Sequence, residues 1–363
     1  MKSSRSINRD ERRCMRGDRS SKIEMAMKTF RAPVWIPLWL IIGLVSLVAS
    51  PTAAAQEKKL LRVVFVSLSW NSEIPVRVAL VRGFFKAQGL QIEPIFIRGG
   101  PAAMAALISG DVDFASIGGA QAVIRSKARG LDVSIIGSIS NQTNYVLLGN
   151  KQTRTVESLK GKIIGITGAG AFSEFAVKTF LNKHNVDPAK DVILRAVGNT
   201  TMRAAALEKG LVAAAPFSPE DAVRLMKSGY PLISNFAESL DIPQSIVVTR
   251  GEVVEKYPET SKRFLKALIL GIHLTKTNKK EAIKAGYESG LQGDPETVNA
   301  AYDLYQPALT WDLSIAVPGI QLMLDDDIRA GLVDSKFTVD KVINDRPLKR
   351  AQDELKAEGL LKR

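Results

Sequence analysis

Short β-branched apolar runs alternate with amphipathic runs through most of this chain, and the joins between them are made of small residues. The alternation is clearest in Lys162–Leu181, KIIGITGAGAFSEFAVKTFL. Ile163–Ile166 reads as a buried strand of a parallel sheet. Thr167-Gly168-Ala169-Gly170-Ala171 makes the turn, and Phe172, Phe175, Ala176, Val177 and Phe180 then fall near helical spacing. A strand, a glycine turn and a helix in that order leave backbone N–H groups pointing outward at the helix start. Those groups and the helix dipole favour an anion or a strongly polar ligand group. Thr167 and Ser173 add hydroxyls beside them.

The preceding stretch repeats the arrangement. Leu61–Leu68 is a first strand, Ile74–Gln88 a helix with Pro75 in its first turn, and Gly89 its stop. Strand Leu90–Ile97, helix Pro101–Ser109, strand Val112–Ile117, helix Ala120–Ala128 and strand Val133–Ser138 follow. This βαβαβαβ order specifies a parallel sheet with covering helices. Asn144–Gly149 reads as a crossover strand. A second series then runs through Ile163–Ile166, helix 173–184, Val192–Val197, helix Thr200–Lys209, Leu211–Ala215, helix Pro219–Lys227 and Leu232–Ser234. Ile246–Thr249 reads as a strand returning to the first sheet, and the chain is helical from Gly251 onward. The expected fold class is α/β, with two lobes covering residues 56–145 with 247–363, and 146–246.

Ligands of such sheets sit outside the carboxyl ends of the strands. Those ends supply Ser69, Trp70, Asn71, Gly99, Gly100, Ser116, Gly118, Gly119 and Asn141 from the first half. Thr167, Gly168, Ala169, Gly170, Ser173 and Asn199 come from the second. Hydroxyls, amides and exposed backbone dominate this set, which suits reversible recognition better than catalysis. Trp70 reads either as an apolar wall or as packing.

Catalytic and metal chemistry find little support. His184 and His273 fall inside helices away from every strand end, and Cys14 is the single cysteine. Asp325-Asp326-Asp327 reads as a solvated helix face. Gly168–Ser173 is a partial G-x-G-x-x-G, but the next strand ends Val197-Gly198-Asn199 with no carboxylate for a ribose. No catalytic residue, no metal and no cofactor is expected. The net charge of +13 could indicate nucleic acid, yet residues 1–55 hold ten basic and four acidic residues, and elsewhere the two signs interleave. No nucleic-acid partner is expected.

Val34–Ala49 is apolar apart from Ser46, preceded by Lys28 and Arg31, and followed by Ser50-Pro51-Thr52-Ala53-Ala54-Ala55. This pattern specifies a signal peptide over 1–55, cut near Ala55/Gln56, with an N-terminal membrane anchor as the alternative. Met25 and Met27 are possible starts. The expected location is the periplasm.

Val76–Leu90, VRVALVRGFFKAQGL, resembles the "Ala-x-x-x-Gly-Phe-Phe-x-x-x-Gly-Leu" stretch of the periplasmic substrate-binding components of ABC importers. The group in question binds aliphatic sulfonates, taurine, nitrate and thiamin precursors. Leu107–Phe114, Leu159–Thr167, Leu207–Ala213 and Tyr257–Ala267 continue the likeness, which runs from about Leu61 to Leu355. The resemblance implies a two-lobed periplasmic binding protein fold of type II, with a two-strand hinge near Asn144–Gly149 and Ile246–Thr249. It further implies a small-molecule solute held between the lobes, a membrane permease as partner, and a monomer. Pro216-Phe217-Ser218 departs from relatives that carry an acidic residue or a Trp there. With no carboxylate at a strand end, a neutral or anionic ligand is expected. Two alternatives stay open: an enzyme on the same fold related to thiamin-pyrimidine synthesis, and a solute sensor for a membrane receptor.

Overall fold

The computed structural model describes residues 57–66, 70–71, 73–97 and 99–361. The segment read as a signal peptide and the candidate Ser69 lie outside them. Two five-stranded sheets organise the described chain. The first contains β1 (Leu60–Phe65), β2 (Gln91–Phe96), β3 (Phe114–Gly118), β4 (Val133–Ser140) and β10 (Ser245–Arg250), in the order β2-β1-β3-β10-β4. The second contains β5 (Val146–Gly149), β6 (Ile163–Ile166), β7 (Ile193–Ala196), β8 (Ala214–Phe217) and β9 (Leu232–Asn235), in the order β7-β6-β8-β5-β9.

Each sheet is parallel except at its fourth position. β1 runs parallel to β2 and β3, and β6 runs parallel to β7 and β8. β10 lies antiparallel between β3 and β4, and β5 lies antiparallel between β8 and β9. These two antiparallel strands are the first that the chain forms after each passage between lobes, over 141–145 and 236–244. The segments singled out in the sequence, Asn144–Gly149 and Ile246–Thr249, therefore begin or lie just past the passages, with their strand residues inside one sheet each.

Between the strands run α1 (Ile74–Val81), α2 (Phe84–Ala87), α3 (Gly100–Ser109) and α4 (Gln121–Ala128) in the first lobe. The second has α5 (Phe172–Lys183), α6 (Thr200–Glu208) and α7 (Pro219–Lys227). The C-terminal part adds α8 (Gly251–Lys256), α9 (Pro258–Thr277), α10 (Lys279–Glu288), α11 (Pro295–Tyr305), α12 (Val317–Arg329) and α13 (Arg346–Ala357). All eight residues of β4 are buried, Ser134, Ser138 and Ser140 included, as a strand covered on both faces should be. In α9, Phe264 stacks on Phe114 of β3 at 4.2 Å and on Phe85 of α2 at 5.2 Å between ring centres. Those rings anchor the long helix to the first sheet.

Two sequence expectations shift. The single helix expected over Ile74–Gln88 breaks into α1 and α2, because Gly83 takes φ +73 and reverses the backbone. The strand expected at Leu211–Ala215 forms instead at Ala214–Phe217. Gly210 closes α6 in a left-handed turn and Leu211 is exposed; Val212 and Ala213 are already buried, but pairing to β5 and β6 begins only at Ala214.

Candidate ligand-binding cleft

A cavity of about 590 Å³ opens between the lobes at the carboxyl ends of the strands. Its first-lobe wall includes Asn71, Glu73, Gly99, Gly100, Gly118 and Gln121. Its second-lobe wall includes Thr167, Gly170, Phe172, Ser173, Asn199, Thr200, Arg203 and Ser218. Tyr145 and Gln244, from the two passages between lobes, and Ser245 at the start of β10 also line it.

Of the residues expected from the sequence, Asn71, Gly99, Gly100, Gly118, Thr167, Gly170, Ser173 and Asn199 line this cavity. The others have different places. Trp70 is fully buried; its Nε1 donates to the Gln292 carbonyl at 2.8 Å and its ring meets Tyr287 edge-on at 5.0 Å. It packs the C-terminal helices onto β1 rather than walling the cleft. Ser116 lies beneath the wall, donating from its hydroxyl to Glu73 Oε1 at 3.2 Å. Gly119 lies against Phe172, where a Cβ would sit 2.4 Å from the ring. Asn141 points away: its amide donates to the Ser314 carbonyl at 2.8 Å and accepts from the Ala316 N–H at 3.2 Å. Gly168 accepts the Ala171 N–H at 3.2 Å, and Ala169 lines a neighbouring pocket of about 190 Å³.

The start of α5 differs from the open anion site expected there. Ser173 Oγ accepts the Thr167 N–H at 2.9 Å, and the Glu174 carboxylate accepts the Gly170 N–H at 2.5 Å. Donors of the loop leading into α5 are thus satisfied by the helix's own side chains, one of them an anion.

The positive charge comes instead from Arg203 on α6, a residue that sequence reasoning missed. It is 1% exposed. Its Nε donates to the Pro216 carbonyl at 2.9 Å, and its Nη1 donates to Thr167 Oγ1 at 2.6 Å and the Gly198 carbonyl at 2.8 Å. The guanidinium carbon lies 5.9 Å from the Tyr145 ring centre. No described carboxylate forms an ion pair with it. Burial lowers its proton affinity, while Tyr145 and Asp221 act in the opposite direction. One sequence signal does exist. Arg203 sits one turn after Asn199, whose side chain caps α6 through the Met202 N–H at 2.9 Å, and it precedes the small apolar run Ala204–Leu207.

The first lobe also holds a carboxylate that the sequence reading had excluded from the strand ends. Glu73, 4% exposed, follows the β1 turn, and its N–H donates to Asn71 Oδ1 at 2.9 Å. Arg77, one helical turn on, is electrostatically coupled to it. Nearby, Gln121 is 3% exposed and its Nε2 has no hydrogen-bond partner among the described residues. A buried amide left this way on a cavity wall is a group in want of an acceptor.

Contacts bridge the lobes on both sides of the cleft. Glu220 of α7 accepts the Trp70 backbone N–H at 3.0 Å. Arg125 of α4, held in a two-point ion pair with the buried Asp327 at 2.9 and 2.6 Å, reaches the Gly170 carbonyl at 3.4 Å. Both contacts tie one lobe to the other beside the cavity.

The architecture and sequence both match known proteins. The alkanesulfonate-binding protein SsuA from Xanthomonas axonopodis pv. citri, bound to MOPS, superimposes with a TM-score of 0.65 at 20% identity, covering 80% of this chain and 99% of its own. The periplasmic nitrate-binding protein NrtA from Synechocystis PCC 6803 gives 0.66 at 15% identity, covering 85% and 92%. Among curated sequences, the candidate binding protein YtlA of Bacillus subtilis (strain 168) is 23% identical over 281 residues, 75% of this chain and 84% of YtlA. The family model described as NMT1/THI5 like matches residues 70–282, more than half of the chain. The protein belongs to the NMT1/THI5-like family.

Proposed function

We propose that this protein is the solute-binding component of an ABC importer, exported to the periplasm, and that it captures an organic anion between its lobes and presents the closed form to a membrane permease. The observation that carries the reading is Arg203, a buried cation on the cleft wall with no ion pair among the described residues. A buried charge is costly without a partner, so an anionic ligand group at this wall is favoured strongly. Tyr145, Thr200, Ser218 and the unpartnered Gln121 amide offer hydrogen bonds around it. Glu73 does not cancel this attraction in full, because Arg77 already offsets its charge.

The cavity also favours a ligand with more than an anionic head. About 590 Å³ is mid-range for small-molecule sites and far exceeds what a bare oxyanion needs. Pro101, Met104, Ala105 and Ile108 give it an apolar flank along α3, while α4 and the turn after it contribute Ala122 and Leu131 among the polar Arg125, Ser126 and Arg129. An anion with an apolar tail fits both the Arg203 wall and this flank. The cleft lining among the described residues includes no histidine or cysteine, which weighs against the thiamin-pyrimidine enzyme reading. Among the described residues, no helix is long and apolar enough to cross a membrane.

A thermal-shift panel on the purified chain tests this reading, using nitrate, methanesulfonate, longer alkanesulfonates, taurine, MOPS and aromatic carboxylates. Tail-bearing anions are expected to raise the midpoint saturably by mass action, and Arg203→Met is expected to abolish the shift. No shift with any anion would sink the assignment. An equal response to nitrate would sink the tail.

A further inference from the structure

A second cavity, of about 1120 Å³, lies on the other side of the passages between lobes. Asn141, Gln142 and Asp241 from those passages form one wall, whereas Tyr145 and Gln244 from the same passages face the cleft. Its floor is apolar, with Pro307, Leu309 and Leu361. Trp311 stands on its rim, 50% exposed, in contrast to the fully buried Trp70. The Trp311 ring is held in place, with Lys276 Nζ 4.9 Å from its centre and His273 edge-on at 5.4 Å. Lys276 is itself fixed by donating to the Gln306 and Leu309 carbonyls at 3.1 and 2.9 Å.

His273 supplies the polar element. The Trp311 backbone beside the ring favours a proton on it, while its Nε2 is buried with no partner among the described residues. The protonated nitrogen is therefore Nδ1, and burial keeps the ring in its neutral form at neutral pH. A neutral imidazole that donates from Nδ1 carries a lone pair on Nε2, so the unpartnered atom is an acceptor.

We propose that this cavity is a second small-molecule site, selective for a neutral aromatic ligand that stacks on Trp311 and donates an O–H or N–H to His273 Nε2. A fixed, half-exposed indole over an apolar floor provides the stacking surface. The unpaired acceptor provides the selectivity, since a ligand lacking the donor leaves a buried polar atom unsatisfied. The site is independent of the anion cleft.

Isothermal titration with 2-naphthol and with its methyl ether, 2-methoxynaphthalene, tests the proposal on the full chain. The two probes share an aromatic surface, but the ether has no donor. One 2-naphthol per chain is expected, with the ether about tenfold weaker. His273→Phe should erase the difference between the probes, and Trp311→Ala should abolish binding of both. Trp311→Phe keeps a ring and should preserve the discrimination with reduced affinity, which guards against a folding defect in the alanine variant. Arg203→Met should leave both probes unaffected. Equal affinities in the unaltered protein, binding insensitive to Trp311→Ala, or no binding at all would each overturn it.

Discussion

Arg203 makes its hydrogen bonds through a planar fork whose arms end on Thr167, Gly198 and Pro216. A lysine ammonium cannot span those acceptors, so Arg203→Lys should fail to restore solute binding although it keeps the charge. Calorimetry with a bound anion is expected to show a loss of about 2–4 kcal/mol, roughly 30- to 1000-fold in Kd, for both Lys and Met at this position. This residue also marks the limit of what its own sequence discloses. Asn71, Thr167 and Asn199 were legible because they follow strand ends, and Ser173 because it opens the helix after one; the carboxyl edge of a parallel sheet is where ligands bind. Arg203 and Glu73 sit one step past those ends, inside or beside helices. Which face of a helix looks into a cleft depends on how two lobes pack, and no local pattern encodes that. Trp70 misleads for a related reason: its ring turns back toward helices that lie more than two hundred residues away in the chain.

At the scale of elements, the turn after β3 carries the clearest constraint. Gly119 has φ +72, and a Cβ there would sit 2.4 Å from the Phe172 ring at the start of α5. Gly119→Val should hold the lobes apart, and the apparent Kd for solute should rise on the order of tenfold as the closed fraction falls. Small-angle scattering would show the expanded chain directly; an unchanged profile with unchanged affinity would refute the steric argument. Farther from the cleft, α13 is fastened to α9 by Glu354, which bridges Lys262 at 2.7 Å and Lys266 at 2.6 Å. Hydrogen bonds from these lysines pull the Glu354 carboxyl from 4.5 down to about 2. A carboxyl that titrates lower in the folded state stabilises above its unfolded value and loses that contribution as pH falls. Glu354→Gln should therefore lower Tm at pH 7, and the two proteins should converge as the pH approaches about 2. The strands and most helices were legible because their apolar periods are strong. The break at Gly83 was not, since a glycine inside an amphipathic run is compatible with a continuous helix.

Across the whole molecule, Glu220 joins the second lobe to the loop that also bears Asn71 and Glu73. Its carboxyl is pushed upward by burial, so the contact holds a charge at some cost. Glu220→Ala removes the only bond described between that side chain and the first lobe. The ligand-free chain should then show a larger radius of gyration, and solute affinity should fall without any change at the cleft wall. The two βα series announced a pair of lobes, and Ile246–Thr249 a strand returning to the first sheet, but not that this strand would lie between β3 and β4. In the order β2-β1-β3-β10-β4, the strand between β3 and β4 comes from beyond the entire second lobe. While the chain is being synthesised, residues 146–235 can close their own sheet before the first sheet has its fifth strand, β10. The part of the protein made first is consequently the part that finishes folding last, and until Ser245–Arg250 emerges, β3 and β4 have no strand between them to pair with.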